Sequence, residues 1–219
     1  MKKKIVISLV LVFLMNLVDY YLNPSYWVKS SIKVILFLLV PIVISGLSKD
    51  YLLRLIKLKN KNEVKRTIVI GFGIYVGIIL TYLVLSTFID LEVIKEILEN
   101  NLKVNKSNFI FVAIYISFIN SLIEEFFFRG YLFLGLLKDK GRVYAYTYSA
   151  LLFSIYHVGI MGGWFNPSIF VLALIGLFIG GLIFNFINER NNNIVSSYMI
   201  HMMANLAINT IGLIMFDIL

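Results

Sequence analysis

Apolar runs of roughly 20 residues, the length that carries a helix across a bilayer, follow one another along this chain and leave only short polar connections. In hydrocarbon every backbone N–H and C=O has to be satisfied within its own segment, so such runs fold as helices. Spans are predicted near residues 5–22, 30–47, 68–89, 108–137, 143–160, 168–187 and 194–216. The expected fold class is all-α: a polytopic transmembrane bundle of about seven helices, one integral membrane domain over 1–219 whose chemistry falls at about 108–216. The make-up agrees, with 60% hydrophobic and only 15% charged residues, well beyond a soluble domain. There is no cysteine, which removes disulfides, thiolate metal sites and cysteine nucleophiles.

The net charge of +8 sits in the connections, where it orients the chain rather than binding nucleic acid. The segment 49–66 carries Lys49, Arg54, Lys57, Lys59, Lys61, Lys65 and Arg66 against Asp50 and Glu63, which places it and the N-terminus on the cytoplasmic side. Counting onward, 90–107 is external, 138–142 internal, 161–167 external and 188–193 internal. Met1 to Lys4 before an apolar run imitates a signal peptide, but no small-residue cleavage pattern follows, so an uncleaved first helix is expected. In the basic segment Tyr51, Leu52, Leu53, Leu55, Ile56 and Leu58 lie among the cations, as in an interfacial helix on anionic lipid; a solvated orienting loop is the alternative. The stretch 90–102 alternates acidic and apolar residues at helical spacing and is expected along the outer surface.

Charged residues inside a span cost about 2.5 to 3.5 kcal/mol each on insertion scales, and Glu124, Glu125 and Arg129 stand together within one. Glu125 and Arg129, four apart, share a helical face and are read as an ion pair. Glu124 is turned about 100° away and is left unpaired, a carboxylate suited to act as a general base. Both histidines of the chain also lie in spans: His157, four after Phe153, and His201, four before Asn205. His201 and Asn205 project from one face, where two donors would hold a developing oxyanion. Gly176, Gly180 and Gly181 are read as close helix packing, the Gly176–Gly180 pair fitting a small-xxx-small pattern, Trp27 and Trp164 mark interfaces, and Met199, Met202 and Met203 fill gaps.

These patches, Glu124-Glu125-x-x-x-Arg129, Phe153-x-x-x-His157 and His201-x-x-x-Asn205, resemble in order the signature of the CPBP family, the CAAX-type prenyl endopeptidases and bacteriocin-processing or immunity (Abi) proteins. The resemblance implies that Glu124 and His157 position and deprotonate the attacking water, that His201 and Asn205 stabilise the oxyanion, and that Glu125, Arg129 and Phe153 support the site. It leaves the metal open. Glu124, His157 and His201 would make a His2Glu zinc set, whereas a glutamate-activated water needs no metal. The depth of the groups does not match the predicted span ends: Glu124 and His157 fall roughly 20 Å from the cytoplasmic ends and His201 about 10 Å. Either the last helix begins inside the protein or the fourth runs past Leu137.

The expected partner is a membrane-bound or lipid-modified peptide or protein, cut by an intramembrane endopeptidase. The Lys, Asn and Ile usage points to a bacterial plasma membrane. A non-catalytic immunity or binding protein and a transporter are the competing readings, the latter weakened by the lack of inverted repeats.

Overall fold

The computed structural model describes residues 2–22, 24–57 and 61–219; Met1, and Leu58 and Lys59 of the basic segment, lie outside the described residues. Among these, the chain forms nine helices and no strand. Six are long and apolar enough to cross a membrane: α1 (Lys2–Leu22), α2 (Tyr26–Ser45), α4 (Asn62–Phe88), α6 (Phe109–Lys140), α8 (Pro167–Asn191) and α9 (Val195–Met215). Short α3 (Lys49–Leu55), amphipathic α5 (Leu91–Leu102) and α7 (Arg142–Ile160) complete the set.

The expected fifth span is present as α7 in the predicted place, but it is not among the six. Its 19 residues include Arg142, Tyr144, Tyr146, Thr147, Tyr148, Ser149, Ser154, Tyr156 and His157, which dilute its hydropathy. It packs along α8 on one side and α1 on another, and against the middle of α6, and leaves Leu151, Ile155 and Val158 exposed on its remaining face. Helix α4 in turn packs along α9.

Two cores result. The larger is aromatic, built from Phe37, Phe127, Phe128, Phe153 and Tyr156, with Phe37 stacked on Phe127 at 4.2 Å. The smaller joins the start of α6 and the end of α9 under α5, through Phe109, Val112, Met215, Phe216 and Ile94. Helix α5 therefore lies over that core on the surface of the bundle. Asp90 Oδ1 accepts from the N–H groups of Glu92 and Val93 to start it, and Val104 N–H reaches back to the Leu98 carbonyl to end it.

Within the basic segment, Lys49–Leu55 form a short helix docked on the protein. Helix α3 has seven residues, its Leu55 is buried, and Tyr51 donates 2.6 Å to the Gly130 carbonyl of α6. Burial raises the pKa of that phenol, so it stays a donor. The Leu55 carbonyl accepts from Ile194 N–H at 2.9 Å, and Lys57 O from Asn193 at 3.0 Å. This segment clamps the turn that precedes α9.

Of the three glycines read as close packing, one makes the contact and the small-xxx-small pair does not. A Cβ at Gly176 or Gly180 would meet nothing within 4 Å, whereas one at Gly181 would stand 3.0 Å from Ala150 Cα and 3.5 Å from Arg129 Nη2. The close approach of α8 to α7 is at Gly181, one residue round the helix from the predicted pair, and it lies against the site.

Candidate active site

Helix α6 carries the acidic motif on unusual backbone. Residues Glu125–Phe133 form a π-helix, as do Tyr115–Asn120, flanking one α-turn at Ser121–Glu124. The Leu134 N–H donates to the Arg129 carbonyl five residues back, so a turn here holds more than 3.6 residues. Such segments are rare and recur at functional sites.

Glu124 and Glu125 face different neighbours. Glu125 Oε1 lies 3.1 Å from Arg129 Nη1 and 3.0 Å from His201 Nδ1 of α9, so the predicted ion pair forms and gains an imidazole. Arg129, fully buried, lies with its guanidinium 4.1 Å over the Phe153 ring and 5.0 Å over Phe184.

Glu124 is not unpaired. Its Oε1 accepts from Asn120 Nδ2 at 2.9 Å, Tyr156 OH at 3.1 Å and Lys33 Nζ at 3.2 Å. Lys33 comes from α2 and also donates 2.6 Å to Asn120 Oδ1. The other oxygen, Oε2, faces His201 Nε2 at 3.7 Å, beyond a direct hydrogen bond. One carboxylate oxygen is saturated and the second is left toward the imidazole. Sequence reasoning missed Lys33, Asn120 and Tyr156. The signal was Lys33 itself, a cation within an apolar run, which by default marks a functional site. A second such cation, Lys29, pairs with Asp19 of α1 at 2.7 Å.

His157 lies close enough to Glu124 and His201 to interact with both electrostatically. Its Nδ1 sits 2.8 Å from the Phe153 carbonyl, and since a carbonyl only accepts, Nδ1 carries the proton and Nε2 the lone pair. The Phe153 ring meets His157 edge-on at 4.6 Å and His201 at 5.9 Å. Phe153 thus sets both imidazoles and Arg129 from one position. Asn205 is engaged elsewhere: its amide donates 3.1 Å to Ser121 Oγ and 3.3 Å to Ile116 O, tying α9 to α6.

The mismatch in depth resolves through both routes. Helix α6 runs on to Lys140, past Leu137, and α9 starts inside the protein, with Asn193, Ile194, Ser196 and Ser197 all buried. His201 is thereby level with Glu124.

The zinc set does not fit this arrangement. Among the described residues no three carboxylate or imidazole groups gather as metal ligands do.

A helical membrane bundle that gathers two adjacent buried carboxylates and two imidazoles between its helices defines the class. Residues 106–207, just under half of the chain, match the family model of the Rce1-like proteins, described as type II CAAX prenyl endopeptidase Rce1-like. The matched stretch contains all three motifs and is consistent with a CPBP-family protease. No curated protein and no solved structure matches the chain.

Proposed function

We propose that the protein is an endopeptidase that hydrolyses a peptide bond of a membrane-associated or lipid-modified peptide, with Glu124 as the base that activates water. The observation that carries this is the open Glu124 Oε2 facing His201 Nε2 across 3.7 Å, with Oε1 saturated. One water held by both atoms at ordinary hydrogen-bond lengths would pass its proton to Oε2 and attack the scissile carbonyl. The His157 Nε2 lone pair would orient that water.

As the carbonyl oxygen becomes an oxyanion it needs donors. His201 supplies Nε2–H when it is imidazolium, because Nδ1–H is committed to Glu125. Asn205 supplies one amide N–H by giving up the 3.3 Å bond to Ile116 O, a carbonyl that also accepts from Ser121 Oγ at 3.0 Å. Glu124 then returns its proton to the leaving amine, which departs as the new N-terminus.

The test uses the full chain in lipid vesicles and an internally quenched peptide bearing an S-farnesyl cysteine followed by aliphatic residues, alongside acyl-anchored and unanchored versions. Cleavage of an anchored peptide is expected, lost by at least about 1000-fold in Glu124→Gln with folding intact. Equal cleavage by Glu124→Gln, or cleavage of no anchored peptide, would overturn the reading.

A further inference from the structure

Lys33 does more than neutralise a buried acid. Its Nζ bonds Asn120 Oδ1 at 2.6 Å, while Asn120 Nδ2 bonds the same Glu124 oxygen that Lys33 contacts. Lysine, amide and carboxylate close a ring of contacts, and Tyr156 OH adds a third donor to Oε1. The lysine is itself fixed: its ammonium lies 5.2 Å over the Tyr156 ring, and its side chain is 8% exposed. All of this pull acts on one oxygen, and it acts away from α9. A carboxylate without it has another partner at hand: His201 Nε2 is only 3.7 Å from Oε2, and in the imidazolium, with Nδ1–H on Glu125 and a proton on Nε2, a small rotation closes that distance to a direct charge-assisted bond.

We infer that Lys33, with Asn120 and Tyr156, holds the Glu124 carboxylate back from His201 and so keeps open the gap in which water is activated. Lys33 is on this account a positioning residue, fixed on α2 outside the three motifs and outside the matched segment 106–207. The inference rests on the proposed role of Glu124 but has a readout that does not need hydrolysis.

The chain has two histidines, so isotope-labelled histidine gives four ring-nitrogen signals in an NMR spectrum. Lys33→Met is expected to move the His201 Nε2 signal to that of a hydrogen-bonded nitrogen, and Lys33→Arg to leave it near its original position. On an anchored peptide, Lys33→Met is expected to lower kcat about 100-fold with KM unchanged. An unmoved Nε2 signal in Lys33→Met, or a loss confined to KM, would overturn the inference. Should Lys33→Met alone not fold, the same substitution is made on Glu124→Gln, where both charges are gone. Identical His201 signals in Glu124→Gln and in Lys33→Met/Glu124→Gln are then expected, and a further change would show Lys33 acting by another route. If the wild type cleaves nothing, the protease reading fails while the nitrogen signals still decide the role of Lys33.

Discussion

Phe153 shows how one side chain can serve three others. Its ring underlies the Arg129 guanidinium at 4.1 Å and meets both imidazoles edge-on, while its carbonyl fixes the His157 tautomer. Phe153→Leu keeps the carbonyl and loses the ring. It is expected to destabilise the protein by about 1 to 3 kcal/mol from lost cation–π and packing contacts and to lower kcat, read by thermal unfolding and kinetics side by side. Unchanged stability would mean that Arg129 is held by Glu125 alone. The motifs were legible in the sequence because Glu124, His157 and His201 are ionisable groups in apolar runs. Lys33 was not, because the predicted span began at residue 30, only three residues before it. Helix α2 begins at Tyr26, which puts Lys33 two turns inside.

At the scale of elements, spacing identified faces but not which face meets which neighbour. Gly176 and Gly180 have the spacing of a packing pair, yet the contact with α7 runs through Gly181. Gly181→Ala is expected to cost about 1 to 3 kcal/mol, the range for overpacking, since its Cβ would press on Ala150 backbone and approach Arg129. Gly180→Ala is expected to leave the melting temperature unchanged or raise it slightly through helix propensity. Thermal unfolding of the two variants, run together, checks this, and an inverted order would refute the packing assignment. The π-helical stretch of α6 left no trace in hydropathy, since widening the turn alters backbone bonding and not residue type. The buried start of α9 was equally hidden: its apolar run reads as a span, and only the docking of Leu55 O on Ile194 N–H shows that the end lies within protein.

For the whole molecule, charge is balanced inside the bundle. Among the described residues the buried charged side chains are Asp19, Glu124 and Glu125 against Lys29, Lys33 and Arg129, paired at 2.7, 3.2 and 3.1 Å. Balance predicts that single deletions hurt more than paired ones. Arg129→Met is expected to cost about 3 to 5 kcal/mol by stranding Glu125, and Glu125→Gln/Arg129→Met markedly less, as seen in unfolding of the three proteins. A double variant less stable than the single one would contradict the pairing. The Glu124 pair is the one set beside an imidazole through an open oxygen, and the account turns on that oxygen acting as a base on water and not as a nucleophile. A single turnover on a cleaved anchored peptide in heavy-oxygen water separates these. The account predicts the heavy oxygen in the new C-terminal carboxylate of the product and none in Glu124, whereas label in Glu124 would contradict it.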